Sequence, residues 1–225
     1  MSYIRAENLA KRYGDGDAAV MAVRDINFTV ESGEFVSIMG ESGAGKSTLL
    51  SIVGAMNPPS SGKFVVDDID VYGLDSERRT DFRREFIGFV FQSFHLVPYL
   101  TVVENVMLPL TIVKATKKRK RALAEAALDQ VGLKGKEGRL PSQISGGEKE
   151  RVAVARAIVN EPPLLLADEP TGNLDTATTR EIMELLKRLN QEGMTILMVT
   201  HSPDCAAYGK RLLRVSDGRL IEGDD

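Results

Sequence analysis

Gly40-Glu41-Ser42-Gly43-Ala44-Gly45-Lys46-Ser47-Thr48 follows the apolar run Phe35 to Met39 and opens the helical stretch Lys46 to Val53. The pattern is GxxxxGK[ST], and a β-rich run before it with a helical one after it is the context the pattern requires. Glycines at 40, 43 and 45 let the backbone curl so that N–H groups point inward. The helix that follows adds the positive end of its dipole to a concave anion site. A polyphosphate fits such a surface. Lys46 would neutralise its β- and γ-phosphates, and the Ser47 hydroxyl would take one magnesium position. The structural alternative is a chance glycine-rich turn, and the rest of the chain decides between the two.

Upstream, Ile4 to Leu9 and Ala22 to Val30 read as strands, the second joined to Phe35–Met39 across Glu31-Ser32-Gly33-Glu34, which predicts an antiparallel start. Downstream, Ile87 to Phe91, Leu164 to Ala167 and Thr195 to Thr200 are short apolar runs of the kind that form buried parallel strands. Between them lie helical patterns. In Thr176 to Gln191, Ile182, Leu185, Leu186 and Leu189 fall on one face, and Gly193 follows as a stop. From about Ser93 to Val159 the reading is almost entirely helical, with Leu123, Ala126, Ala127 and Val131 on one stripe before Gly132. Strands alternating with helices imply an α/β fold with a mostly parallel core sheet, an N-terminal antiparallel β part and an inserted helical subdomain. The expected organisation is one domain over 1–225, with 1–92 and 160–225 forming the core and 93–159 the helical part.

The 225 residues suffice for one such domain, and 43% hydrophobic with 27% charged residues is an ordinary globular composition. A net charge of -3 argues against general attraction to nucleic acid. No apolar stretch approaches the roughly 20 residues needed to cross a bilayer, and Met1 to Glu7 shows no basic region leading into an apolar run, so the expected location is the cytoplasm. The single cysteine, Cys205, reads as a buried, inert thiol. The basic run Lys117-Lys118-Arg119-Lys120-Arg121 reads first as a solvated helix start, with anionic lipid or nucleic acid as the alternative contact.

Two further elements bear on the phosphate loop. Leu164 to Ala167 ends in Asp168-Glu169-Pro170, two adjacent carboxylates. Neighbouring side chains of a strand point oppositely, but at a frayed end both can face one site. Asp168 would then be held toward magnesium, and Glu169 would orient or deprotonate an attacking water. Without the phosphate loop, a solvent-facing acidic strand end before a proline turn would be the better reading. Ser145-Gly146-Gly147-Glu148 precedes the helical stretch Lys149 to Val159 and is, read plainly, a capping box. Capping does not call for two consecutive glycines, which leave backbone donors open to a second anion.

With these elements in this order, the chain resembles the nucleotide-binding subunits of ATP-binding cassette (ABC) transporters over nearly its whole length. Ile144 to Glu148 looks like the family's LSGGQ signature. Ala167 to Pro170 followed by Thr171-Gly172-Asn173-Leu174-Asp175 looks like its Walker B motif and D-loop. Tyr13 in Lys11-Arg12-Tyr13-Gly14 matches the aromatic that stacks on adenine, Gln92 matches the Q-loop, and His201 in Val199-Thr200-His201-Ser202 matches the switch histidine. Alone, Tyr13 reads as an edge-strand aromatic and His201 as a capping residue. His95 has no position in the family pattern and reads as a structural or interface residue.

The resemblance implies ATP and Mg2+ as cofactors and a magnesium-dependent ATPase activity. It assigns Glu169, His201 and Gln92 to catalysis, Tyr13 and Gly40 to Thr48 to nucleotide binding, and Ser47, Gln92 and Asp168 to the metal. It further implies an ATP-dependent homodimer in which Ser145, Gly146, Gly147 and Glu148 close over the partner's ATP, with Asp175 at the interface. Integral membrane subunits would be contacted near Gln92 to Leu100, placing the chain on the cytoplasmic face of the inner membrane. Glu148 departs from the family's Gln. A carboxylate near a γ-phosphate is unfavourable unless Ser145 capping or Lys149 holds it away. Glu at that position and the Thr171 to Asp175 segment point to the LolD/MacB-like group, which contains lipoprotein-release, macrolide-export and cell-division ATPases. An ATP-gated regulator of the cell-division type is the alternative to a transport motor. A small-molecule P-loop kinase would need neither Ser145-Gly146-Gly147 nor His201.

Overall fold

Two sheets organise residues 2–221, the part of the chain that the computed structural model describes. β1 (Ile4–Tyr13) and β2 (Val20–Val30) pair antiparallel. β3 (Phe35–Met39) does not fold back on β2. It lies in the other sheet, and the turn at 31–34 carries the chain between the two. The expected β2–β3 pairing is therefore corrected, for a reason visible in the burial. β3 is buried at four consecutive residues and needs cover on both faces, whereas β2 alternates between buried and exposed positions and suits a one-sided sheet. After α1 (Lys46–Val53), β4 (Ser61–Val66) and β5 (Ile69–Asp70) complete a four-stranded sheet in the order β2-β1-β4-β5.

α2 (Ser76–Phe86) then leads into β6 (Ile87–Val90). Between β6 and β7 (Leu164–Asp168) the regular elements are all helical and include α3 (Val102–Met107), α4 (Lys117–Gln130) and α5 (Gly146–Ile158), which pack on one another. α6 (Thr176–Gln191), β8 (Thr195–Val199), the short α7 (Pro203–Ala206), β9 (Arg211–Ser216) and β10 (Arg219–Ile221) follow. The second sheet has the order β10-β9-β3-β8-β7-β6 and is parallel except for β10.

The apolar run in β7 is explained by two cores. Leu164 and Leu166 face the core shared with β1, β2, β4 and α1, while Leu165 and Ala167 face the core shared with α3 to α6. Leu197 and Val199 of β8 join the first core, and Ile196 and Met198 the second. Period-two alternation persists, but both directions are apolar. α1 thus lies between the sheets, with Leu49, Leu50, Ile52 and Val53 fully buried. On α4 the buried positions are Ala124, Ala127 and Leu128, with Val131 just beyond. Leu123 is partly buried and Ala126 is exposed, so the inner stripe is turned one position from the one predicted. Cys205 is buried as expected, with its sulfur 3.4 Å from the Thr171 hydroxyl.

Candidate nucleotide site

β3, β7 and β8 end side by side. Ile38 and Asp168 each lie level with Val199, so the residues that follow these strands emerge at one edge of the sheet. Open parallel sheets bind ligands at that edge. The glycine-rich loop follows β3, Glu169 follows β7 and His201 lies just past β8. Together they border a cleft of about 440 Å³ lined by Ser42, Gly43, Lys46, Ser47, Glu169 and His201 among others.

The loop is shaped by its glycines and filled by its lysine. Gly45 has φ +99, and a Cβ there would stand 2.1 Å from the Ala22 carbonyl oxygen, so no side chain fits. The Lys46 ammonium is buried and donates to the carbonyls of Gly40 and Glu41, both at 2.7 Å. Both acceptors are neutral and Asp168 acts on the ammonium only through space, so an arriving phosphate oxygen offers a stronger direct partner.

Asp168 and Glu169 reach the same cleft by a local distortion. Glu169 has φ +47, the left-handed region that costs a non-glycine residue on the order of 1 kcal/mol, and this breaks the alternation that would aim the two carboxylates apart. Its N–H still donates to the Val199 carbonyl at 2.9 Å. The Ser47 hydroxyl donates to Asp168 Oδ1 at 3.3 Å. Burial pushes the Asp168 carboxyl up, the Ser47 hydrogen bond pulls it down, and Glu169 pushes it up further. Glu169 Oε2 lies 3.1 Å from His201 Nδ1 and accepts from Gln92 Nε2 at 3.3 Å. The glycine-rich loop, both carboxylates, Gln92 and His201 therefore form one constellation.

Other residues singled out from the sequence lie outside that cleft. Tyr13, at the end of β1, is 43% exposed, its hydroxyl accepts from Asn57 Nδ2, and Lys11 Nζ stands 5.2 Å from its ring centroid. Ser145 caps α5 by accepting from the Glu148 N–H, and Glu148 Oε2 returns to the Ser145 N–H at 2.8 Å. Lys136, not Lys149, supplies the second tether, 3.1 Å from Glu148 Oε1. The Ser145 backbone bond and then Lys136 hold the Glu148 carboxyl below the usual carboxylate range. Gly147 has a reason within the chain: a Cβ there would meet the Thr178 methyl of α6 at 2.3 Å. Thr178 is itself fixed by its hydroxyl on Asp175 Oδ2 at 2.6 Å, and Asp175 caps α6. Gly146 and Gly147 thus face Leu174 and Thr178 of their own chain and do not line its phosphate cleft.

Asn173, quoted from the sequence only as part of its segment, and Arg156 and Asn105, which sequence reasoning did not reach, support the site. Asn173 Nδ2 donates to the Gln92 carbonyl at 3.0 Å. Arg156 donates to the carbonyls of Phe94 and His95, both at 2.6 Å, and each of those residues has a positive φ. His95 also packs against Phe91 with the rings tilted at 47° and centroids 4.9 Å apart, in line with a structural role. Asn105, fully buried, bonds Val97 at both N–H and carbonyl and also the Leu100 and Thr101 carbonyls. A lone Arg or Asn inside a helical pattern carries no signal of this in sequence. Of the apolar residues after Gln92, Tyr99 is 79% exposed, while Leu96, Val97 and Leu100 are partly buried.

A family model described as ABC transporter matches residues 23–172, two-thirds of the chain. The chain belongs to the ABC transporter family. It is 47% identical to the ABC transporter ATP-binding protein YvrO of Bacillus subtilis, covering 95% of this chain and 93% of that one. It is 45% identical to the lipoprotein-releasing system ATP-binding protein LolD of Bordetella avium, covering 98% and 96%. Its fold superimposes with a TM-score of 0.90 on the ATP-binding cassette MJ0796 of Methanocaldococcus jannaschii, solved as a dimer in a post-hydrolysis state bound to ADP and Pi. That match has 40% identity and covers 99% of this chain and 98% of that one. The ABC ATPase fold, with its antiparallel β part and helical insertion, is what the two sheets and α3 to α5 build. No helix among the described residues is long and apolar enough to cross a membrane.

Proposed function

We propose that this chain is the ATP-hydrolysing subunit of an ABC transporter of the lipoprotein-release or export type, acting as an ATP-dependent homodimer on a separate membrane protein. The observation that carries the reading is Glu169 Oε2, held 3.1 Å from His201 and 3.3 Å from Gln92 at the edge of the cleft that the Lys46 loop encloses. A carboxylate so placed takes the proton of a water attacking the γ-phosphate, His201 fixes its orientation, and Gln92 links it to the segment leading to Leu100. Lys46 and the loop N–H groups hold the phosphates, and Tyr13 stacks on the base.

The Ser47 hydroxyl and Asp168 carboxylate, 3.3 Å apart, are hard oxygen donors that suit Mg2+, with the Gln92 amide as a third. Bound there, the ion would neutralise charge on the β- and γ-phosphates. Among the described residues no three His, Cys, Asp or Glu side chains converge as a metal cage. Few protein ligands suit an ion that takes most of its shell from phosphate and water.

In the dimer, Ser145, Gly146 and Gly147 of one copy would close over the nucleotide of the other, with Asp175 at the interface. Two facts support this: the MJ0796 cassette was solved as a dimer, and here the signature lies away from its own cleft. We assign 1–92 and 160–225 to the core and 93–159 to the helical subdomain. The membrane protein would contact the segment from Gln92 to Leu100 around the exposed Tyr99, and we take the chain to act from the cytoplasmic face of that membrane. Glu169→Gln is expected to abolish steady-state phosphate release while an ATP-bound dimer accumulates in size-exclusion chromatography. Retained turnover overturns the assignment of the base.

A further inference from the structure

The connection from α3 into α4 carries a charge pattern that the ATPase site does not use. Lys114, Lys117, Lys118 and Arg119 are exposed. Among the described residues none of the four forms a salt bridge, whereas Arg121 pairs with Glu125 at 2.7 Å and Lys120 donates to the Thr111 carbonyl at 2.9 Å. Glu104, on which Lys117 acts through space without pairing, is held by Thr101, whose N–H and hydroxyl it accepts at 2.8 and 2.7 Å. The stability of α4 does not account for the cations. Lys117, Lys118 and Arg119 occupy its first turn and Lys114 lies just before its cap, where the helix dipole disfavours positive charge, and no acid stands in that turn. In a chain of net charge -3 they form a local basic surface.

Aliphatic groups adjoin it. Ile112 is 60% exposed two residues before Lys114. Met107, Leu108 and Ala115 line a shallow cleft of about 290 Å³ together with Lys117 and Lys120, with Glu104 and Thr111 completing its wall. Residues 107–121 contain no aromatic side chain. Binders of single-stranded nucleic acid stack bases on aromatics, whereas basic side chains beside aliphatic ones match an interface of anionic headgroups over acyl chains. The surface also continues the one proposed for the membrane partner, because Asn105 of α3 ties Val97 and Leu100 to the helix that leads into it.

We propose that Lys114, Lys117, Lys118 and Arg119, with Ile112 beside them, dock on the anionic headgroups of the membrane in which the partner sits. The proposal rests on the reading of the chain as a membrane-bound motor. Each cation near such a surface strengthens partition about fivefold, so losing three weakens it on the order of a hundredfold.

The test is flotation of the purified chain with protein-free vesicles. One set is phosphatidylcholine alone and the other contains phosphatidylglycerol, each at low and high salt, with ATP turnover measured separately without vesicles. The chain is expected to float with phosphatidylglycerol vesicles at low salt and not with neutral ones. Combined Lys117→Gln, Lys118→Gln and Arg119→Gln should abolish flotation with turnover unchanged, and Ile112→Ser should weaken it by a few fold. Equal flotation with both vesicle types, none with either, or displacement from phosphatidylglycerol vesicles by a single-stranded oligonucleotide overturns the inference. A chain that turns over ATP but ignores the vesicles sinks this inference alone, and one that floats without turnover sinks the ATPase reading instead.

Discussion

Glu150 offers a test of how the signature helix is held. It lies fully buried on α5, and neither carboxylate oxygen has a hydrogen-bond partner. Arg156, the cation that acts on it, spends its donors on the Phe94 and His95 carbonyls. Burial pushes the Glu150 carboxyl from the ordinary 4.5 up to about 8, with Arg156 drawing it back only in part. Between those values the folded chain keeps a proton that the unfolded chain has released, so stability falls as pH rises from 4.5 to about 8. At 1.36 kcal/mol per pH unit the cost is about 3 kcal/mol at pH 7 and below about 1 kcal/mol at pH 5.

Glu150→Gln has nearly the same shape and no charge. The amide carries one donor more than the neutral acid, an offset that does not change with pH, so the protonation cost remains as the pH-dependent difference. The stability of the variant relative to the parent should rise by about 3 kcal/mol between pH 5 and neutral pH. For a chain of this size the gap in Tm would widen by roughly 6 to 12 °C. Thermal or urea unfolding of both proteins at several pH values between 5 and 8 reads this directly. A stability difference that stays flat across the range would mean that Glu150 titrates alike in the folded and unfolded chains, and the reasoning would fall.

Lys46→Ala should weaken ATP binding on the order of a hundredfold in a fluorescent-nucleotide titration, because the γ-phosphate loses its charged donor; unchanged affinity would remove Lys46 from the site. Gly147→Ala should cost about 1 to 3 kcal/mol in urea unfolding by driving a Cβ into the Thr178 methyl. Adding Thr178→Ser, which deletes that methyl and keeps the hydroxyl on Asp175, should recover most of the loss, and additive costs in the double variant would refute the packing argument. Glu148→Gln should change stability by less than about 1 kcal/mol and turnover by less than about twofold, since its exposed ion pair with Lys136 is weak and Gln keeps an oxygen for the Ser145 N–H. A tenfold rise in turnover would show instead that the carboxylate reaches the phosphate.

The elements legible in sequence are those whose own residues carry their cause. α6 runs from Thr176 to Gln191 as read, because Ile182, Leu185, Leu186 and Leu189 form its buried stripe and Asp175 caps it. α2 was invisible for the converse reason. Ser76–Phe86 is almost entirely polar, only Phe82 is buried, and the helix rests on the Asp75 cap and the stack of Phe82 on Phe86 at 4.8 Å. β4, β5, β9 and β10 were also passed over. β9 alternates exposed and half-buried residues, and β5 has two residues, so neither offers a run long enough to read. α5 starts three residues before the predicted Lys149, because the capping box at Ser145 already begins the helix and draws both glycines into it.

The Gly146-Gly147 pair shows where motif reasoning and packing part. Two glycines at a helix start imply open backbone donors, and that argument concerns a ligand. In the folded chain Gly147 is already required by Thr178, while a Cβ at Gly146 would meet only Leu174 at an ordinary 3.6 Å. Gly147 is thus accounted for without any nucleotide, and Gly146 is the position whose missing side chain the chain's own packing does not demand. Phosphate recognition by a second copy, if it selects for glycine here, acts at 146. The same packing gives Asp175 a double part, since its Oδ1 caps α6 through the Ala177 and Thr178 N–H groups while its Oδ2 holds the Thr178 hydroxyl and so sets the wall on which Gly147 rests. A change at the D-loop therefore reaches the signature of the same chain through one methyl group.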